Sequence, residues 1–490
     1  MTGLSEQEQR VWVLDQIINN RGVPVDVPTI EKAIDLAEKA KADLNARMKA
    51  INGIHASQVA ALTMWIEGQG YPIKSLAKTT MLEALDDDAC PDQVKDAIQV
   101  RLEFAKASTA KLQAMIDGAD DDGRIRGTMQ YHGAHTGRWA GRRIQPQNLP
   151  RPTMSQEEIE EAVEKISRGD TDFDNPMEVL SNCIRAMIKA PPGHEFVAVD
   201  FSSVEARVLA WLANEAEPLS VFENGGDIYL HAASNIYGRP ITKSDKEERQ
   251  IGKVSTLALG YAGGVGAFQN MARVYGVKVT DKRADGIKKA WRKAHPNIVA
   301  FWQQLEDAAV YATEHKGEVV TANQYIAFRR NGSFLQCRLP SGRKISYPYP
   351  KVITCGYFMD GDKVRKVMPA DMPRNTRWLK EEAEGNTWQK ATLFHMHRDN
   401  AAFSHRSTYG GSLCENVVQA VARDLLVEAM FRFESAGYPV VLHVHDEVVL
   451  EVPKGSLPVE VAEGIMKQLP HWAQGCPIDA EGWVNERFRK

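Results

Sequence analysis

The stretch that most constrains this chain lies near its C-terminal end. Val440-Val441-Leu442-His443-Val444 and Val448-Val449-Leu450-Glu451-Val452 are two short apolar runs rich in β-branched residues, separated only by His445-Asp446-Glu447. Such runs favour strands, and so tight a polar break between them favours a β-hairpin with charge at its tip. A second run, Phe196-Val197-Ala198-Val199, reads as a buried strand and ends on Asp200. Two strand-end carboxylates, far apart in sequence, are thus the first candidates for chemistry. Each taken alone could equally be a cap on its strand or turn.

The chain has 490 residues, too many for one core and enough for about three units of roughly 100–200 residues each. Hydrophobic residues make up 43% and charged residues 25%, which places it among globular chains rather than disordered ones. No apolar run approaches the ~20 residues that span a bilayer, and the start carries no basic region followed by an apolar core. Six cysteines at 90, 183, 337, 355, 414 and 476 form no CxxC pair, a reduced pattern without a zinc site. These features predict a cytoplasmic protein with no membrane partner.

Residues 27 to about 50 repeat Ile30, Ile34, Ala37, Leu44 and Met48 at helical spacing, and a second helical stretch covers about 91–115. Together they predict a helical hairpin with a charged exterior. Gly118-Ala-Asp-Asp-Asp-Gly123 is a polar break, followed by short strands near 124–131. Residues 155–175 are acidic and predict a surface helix and loop. Helical sequence runs from 203 to about 316, strands return at 335–348, and 353–406 reads as an irregular insertion. A helix over about 412–436 leads into the hairpin.

Net charge is −4, yet residues 239–294 hold thirteen Lys or Arg against five Asp or Glu. That asymmetry suits a polyanion site, or simply a solvated basic face. Within it, Ser244-x-x-Glu247 predicts a capping box opening a helix. Arg249, Lys253 and Leu257 then follow at i, i+4 and i+8, with Tyr261 one turn later, so all four share one face. Arg and Lys one turn apart can hold the phosphates of a triphosphate, and the aromatic can pack on a base. Asp200 and Asp446 are natural ligands for Mg²⁺, a hard ion that takes few protein oxygens. A pair of such ions about 4 Å apart stabilises the attacking and leaving oxygens of an in-line phosphoryl displacement.

Taken together, Asp200-x-Ser-x-x-Glu205, Arg249-x3-Lys253-x7-Tyr261 and Val444-His445-Asp446-Glu447 resemble the three polymerase motifs of family A DNA polymerases, the bacterial polymerase I type. Thr136-Gly137-Arg138 with Gln147-Asn148-Leu149-Pro150 resembles that family's primer–template segment. Leu339-Pro340-Ser341-Gly342-Arg343 resembles the palm strand that follows the fingers. The similarity runs from about residue 12 to the C-terminus.

The resemblance implies an α+β right hand: a lead-in at 1–26 packing on the palm, a helical thumb at 27–115, an antiparallel palm at 116–205 and 335–490, and helical fingers at 206–334. It implies that Asp200, Asp446 and the Phe201 carbonyl bind two Mg²⁺, for which Mn²⁺ can substitute. Arg249 and Lys253 would hold the dNTP, with Lys253 donating a proton to pyrophosphate. Tyr261 would lie at the templating position, and Glu205 under the sugar, excluding a 2′-hydroxyl. Arg138, Gln147, Asn148, Gln419 and His445 would touch the primer–template, testing pair shape through minor-groove acceptors that every base pair presents.

Some residues depart from the family pattern. Leu257 stands where an aromatic sugar contact is usual, Ala262 replaces a Gly, and Tyr229 takes the place of a phosphate-contacting His, with His231 two positions later. With the longer stretches at 151–180 and 353–406, these point to a phage or prophage branch. The expected activity is DNA-dependent DNA synthesis by a monomer, with replication accessory proteins as further partners. A proofreading domain of well over ~100 residues does not fit ahead of the first matched segment, so the chain reads as a short polymerase or a fragment. A single-subunit RNA polymerase or reverse transcriptase, or a catalytically silent DNA-binding subunit, are the alternatives.

Overall fold

The structure, a computed structural model, describes residues 4–106, 108–360, 363–367, 387–399 and 402–489. From the N-terminus, α1 (Glu6–Arg21) passes through β1 (Val23–Pro24) into α2 (Val27–Asn52). Asp26 starts α2 by accepting from the Thr29 N–H at 3.4 Å, and Pro28 occupies the first turn, where no N–H is needed. Next come α3 (Val59–Gly68) and α4 (Lys78–Leu85), to which the sequence pattern assigned nothing. The single helical stretch expected over 91–115 is two helices, α5 (Asp92–Phe104) and α6 (Ser108–Gly118), both packed on α2. Neither Gly nor Pro marks their junction near Ala105, so composition left it invisible.

Strand β2 (Arg124–Ile125) pairs with β1, and β3 (Met129–Gln130) pairs with β4 (Ala140–Gly141), so the last two bracket the Thr136–Arg138 loop. The acidic segment 155–175, expected as a surface helix and loop, forms α7 (Gln156–Arg168) and a loop that leads to α8 (Pro176–Cys183). Its acidic residues do face outward, but Ile159, Ala162, Val163 and Ile166 recur at helical spacing and are buried against α2. A capping box opens α7: Ser155 Oγ accepts from the Glu158 N–H at 3.3 Å, and Glu158 accepts from the Ser155 N–H at 2.7 Å.

After β5 (His194–Phe201) the chain is helical: α9 (Val204–Ala213), α10 (Ala216–Glu223), α11 (Ile228–Tyr237), α12 (Lys246–Leu259), α13 (Val265–Val274), α14 (Asp281–Ala294) and α15 (Pro296–Glu314). A four-stranded antiparallel sheet follows: β6 (Val319–Thr321), β7 (Ala327–Asn331), β8 (Phe334–Arg338) and β9 (Lys344–Pro348). It begins earlier than the expected 335, so the boundary drawn at 334/335 runs through a hydrogen-bonded sheet.

The supposed irregular insertion is the clearest correction. Its described residues form β10 (Lys351–Asp360), β11 (Lys363–Val367), β12 (Thr387–Asp399) and β13 (Ala402–Thr408), ordered β11-β10-β12-β13. The rest of that segment lies outside the described residues. Buried Cys355, Leu393 and Phe394 hold this sheet to the body. Its interleaved charges and histidines disguised the β-branched and aromatic residues that favour strands.

The chain closes with α16 (Gly410–Ser435), β14 (Val440–Val444), β15 (Glu447–Pro453), α17 (Val459–Met466) and β16 (Ala480–Asn485). Strands β14, β15, β5 and β16 form the central sheet in that order, antiparallel throughout. Val197, Val199 and Phe201 of β5 belong to one hydrophobic core, with α9, α15 and α16. Phe196 and Ala198 belong to the other, with α2, α7 and α8. Both faces are covered, which is why these strands read as continuous apolar runs instead of alternating. The fold is α+β, and among the described residues no helix is long and apolar enough to cross a membrane.

Candidate active site

Strand ends of the central sheet and one face of α12 enclose a cleft of about 660 Å³. Asp200 sits at the end of β5, in register with Glu447 of β15 on one side and Glu481 of β16 on the other. Asp446 occupies the two-residue turn between β14 and β15. The Phe201 N–H donates to the Asp446 carbonyl at 3.2 Å, tying the hairpin tip to the end of β5. Backbone strain attends both carboxylates: Ser203 has φ 53° and His445 has φ 58°. Such left-handed non-glycine residues cost of order 1–3 kcal/mol each and persist where surrounding structure enforces them.

The opposite wall is α12. Its expected capping box at Ser244 and Glu247 does not form. The N-cap is Asp245, and its carboxylate turns back to accept from the Thr242 N–H and hydroxyl, each at 2.8 Å. The acid directly after Ser244 takes the cap position, whereas Ser155 before α7 has no such competitor. The predicted face is nevertheless intact: Arg249, Lys253, Leu257 and Tyr261 all line the cleft. Tyr261 lies just beyond the helix end at Leu259, and Ala262 after it has φ 60°. The Gly-to-Ala departure therefore places an L-residue in a conformation costing roughly 1–2 kcal/mol, which Gly adopts freely.

Between the two cations, Gly252 lets α11 approach closely: a Cβ there would meet the Tyr229 carbonyl oxygen at 2.0 Å. The approach brings the Tyr229 ring 5.5 Å from the Arg249 guanidinium carbon and 5.9 Å from Lys253 Nζ. Lys253 Nζ also stands 4.9 Å from the Tyr275 ring. Arg249 directs Nε and Nη2 at Asp227 Oδ2, at 2.8 and 2.7 Å. Burial, and then the charges of Arg151 and Arg249, push the Lys253 pKa below the ordinary lysine value. His231 turns away from the cleft towards Glu217, at 3.5 Å, while Tyr229 lines it.

Glu205, on the first turn of α9, joins the two walls. Its Oε1 accepts from Arg138 Nη2 at 2.6 Å and its Oε2 from the Tyr261 hydroxyl at 3.0 Å. Burial and the Glu205 charge hold the Tyr261 pKa well above its ordinary value, so Tyr261 stays a neutral donor.

Of the residues singled out in the sequence, the cleft brings together Asp200, Phe201, Glu205, Arg249, Lys253, Leu257, Tyr261 and Asp446. Arg138 reaches it through Glu205. Gln147, Asn148, Gln419 and His445 do not line it. Gln147 Nε2 points at Met129 Sδ at 3.0 Å, Asn148 Nδ2 at Gln145 Oε1 at 3.3 Å, and Gln419 Nε2 at Glu415 Oε1 at 3.1 Å, while His445 is exposed at the hairpin tip. Among the lining residues that the sequence did not single out are Arg151, Tyr275 and Glu481. Arg151 directly follows Gln147-Asn148-Leu149-Pro150 and could have been found as the next cation. Nothing in the sequence around Glu481 marks it, because only strand register sets it beside Asp200.

Comparison with known proteins gives the family. The family model for DNA polymerase family A matches residues 68–326, a span that holds Asp200, Glu205, Arg249, Lys253 and Tyr261. The DNA polymerase of Bacillus phage SP02 is 35% identical over 99% of this chain and 71% of its own length, so that relative includes the hairpin as well. DNA polymerase I of Chloroflexus aurantiacus is 31% identical over 30% of this chain and 13% of its own. Among solved structures, the polymerase domain of Pol1 from M. smegmatis, in complex with DNA primer-template and dNTP, superposes with a TM-score of 0.63. Its identity is 16%, over 99% of this chain and 70% of that one. The chain belongs to DNA polymerase family A.

Proposed function

We propose that this DNA-directed DNA polymerase extends a primer 3′-hydroxyl on a DNA template in the cleft between Asp200, Asp446 and α12. The observation that carries the reading is the convergence of two strand-end carboxylates with Arg249 and Lys253 on one cleft. Arg249 has a guanidinium edge left for phosphate beyond Asp227. Lys253, with its depressed pKa, is suited to hold the same triphosphate and release a proton to the departing pyrophosphate. Tyr261 would abut the templating base. Positioning and charge stabilisation supply the rate enhancement.

The donors at Asp200, Asp446 and the Phe201 carbonyl are oxygens only, few in number and open to a cleft, which fits Mg²⁺ better than a softer metal. Bound there, Mg²⁺ would neutralise charge on the attacking and leaving oxygens. Among the described residues no group of three or more His, Cys, Asp or Glu could hold a metal ion. We read the remaining ligands as substrate phosphate and water. Primer–template DNA would run between the helical α2–α6 region as thumb and the central sheet as palm, with α9–α15 as fingers.

Glu205 decides between DNA and RNA synthesis. Held by Arg138 and Tyr261, it would stand against the sugar and reject a 2′-hydroxyl. Primer extension with dNTPs and with rNTPs, by wild type and Glu205→Ala, tests this. Wild type should extend with dNTPs, and the variant should lose about tenfold or more of the dNTP preference, roughly 1.4 kcal/mol. A wild type that preferred rNTPs would overturn the reading.

A further inference from the structure

Beneath the Thr136-Gly137-Arg138 loop lies a buried ionic layer drawn from distant parts of the chain. Arg423 of α16, only 3% exposed, grips both oxygens of Glu8 on α1, at 2.8 and 2.9 Å. Its Nε donates to the Gly137 carbonyl at 3.2 Å, and Nη1 also reaches Asp424 at 3.1 Å. Arg343, in the turn between β8 and β9, donates from Nε to Asp424 at 2.7 Å and from Nη2 to the Thr136 carbonyl at 2.9 Å. Tyr131 donates its hydroxyl to Glu8. The loop lies flush on this layer: Gly137 has φ 91°, and a Cβ there would meet Arg343 Nη1 at 2.5 Å.

Burying charges is expensive, and an apolar replacement of similar volume is often at least as stable. Stability alone therefore does not account for this layer. What it does geometrically is specific. Two rigid guanidinium forks end on the carbonyls of consecutive residues, Thr136 and Gly137. The next residue is Arg138, whose Nη2 stands 2.6 Å from Glu205. Fixing two successive carbonyls fixes the backbone that launches Arg138, and a shift of about 1 Å there is enough to degrade a charged contact in a reacting site.

We propose that Glu8, Arg343 and Arg423 are positioning residues that set Arg138 against Glu205, so that the N-terminal helix takes part in selecting the nucleotide sugar. The proposal rests on the reading of Glu205 as the group facing the sugar.

A double-mutant cycle tests it. Glu8→Gln, Arg138→Ala and the double variant would be assayed for single-nucleotide incorporation, with kcat and KM measured for dNTP and rNTP and melting temperature recorded for each. Glu8→Gln should reduce the dNTP-over-rNTP preference about fivefold, and should reduce it no further once Arg138 is Ala. Its effect on melting temperature should be the same in both backgrounds. The proposal fails if Glu8→Gln lowers the melting temperature yet leaves the preference unchanged. It fails equally if the fivefold effect persists undiminished in Arg138→Ala. Should Glu8→Gln not fold, Tyr131→Phe removes a single donor to Glu8 and is read the same way. Glu205→Ala, run alongside, separates the two claims. An unchanged preference there sinks the sugar-gate reading, whereas a changed one with none in Glu8→Gln sinks only the positioning role.

Discussion

Two arginines, one buried beneath the Thr136–Arg138 loop and one facing the cleft, show how one side chain serves different ends. The side chain of Arg423 is 2% exposed, and every nitrogen is engaged by Glu8, Asp424 or the Gly137 carbonyl. Its ring neighbour is Trp139, 5.0 Å away. Arg249 is 37% exposed and gives Nε and Nη2 to a single acid, Asp227, which also accepts from the Tyr229 and Leu230 N–H groups at the start of α11. Its Nη1 makes no hydrogen bond among the described residues. A saturated, buried guanidinium is a structural tie. A partly satisfied one facing a cleft keeps donors for an incoming anion, and its own acid partner holds it in readiness.

The contrast breaks most sharply under substitution. Arg423→Met should destabilise the fold by about 3–5 kcal/mol, because Glu8 is left as an uncompensated buried charge while Asp424 keeps Arg343 as its cation. Thermal or urea unfolding would show it, and a loss under ~1 kcal/mol would mean that the layer is not a tie. Arg249→Met should do the reverse. Its stability should stay within about 1 kcal/mol, since a part-exposed ion pair contributes little. Its kcat/KM for dNTP should fall about ten- to a hundredfold, the equivalent of losing one or two charge-assisted hydrogen bonds. Steady-state incorporation kinetics would settle that.

The smallest expected effect is on pH dependence. Burial acts to raise the Glu8 pKa, but the hydrogen bonds and charge of Arg423 outweigh it, so the carboxyl lies below its ordinary range. A depressed folded-state pKa adds stability that is complete above the unfolded carboxylate pKa and is lost as pH falls through the folded one. Wild type should therefore lose melting temperature in acid more steeply than Glu8→Gln. Parallel acid limbs would show that Glu8 is not held as described.

Much of the cleft was legible from local pattern. The Arg249, Lys253 and Leu257 face follows from helical period alone, and the hairpin at Asp446 from two apolar runs about a polar break. The four-stranded sheet over 351–408 was not legible, because its mixed charges and histidines masked strand propensity. The capping box failed for a local reason, since Asp245 competed with Ser244. Gln147, Asn148 and Gln419 carry a family resemblance, yet their side chains here turn to protein neighbours. Resemblance reports residue identity, whereas orientation depends on packing.

By itself, then, the sequence named the candidate groups: the carboxylates and the spaced cations, with Glu205 added by the resemblance to a polymerase family. The carboxylates and cations follow from residue type and from periods of two and 3.6, which act over a few residues. Tertiary structure alone decided that Glu481 stands beside Asp200, that Tyr229 lies against the two cations, and that Glu8 braces the loop of Arg138. Each of these joins residues far apart in the chain. Such contacts are set by strand register and by burial on both faces of one sheet, which no local pattern encodes.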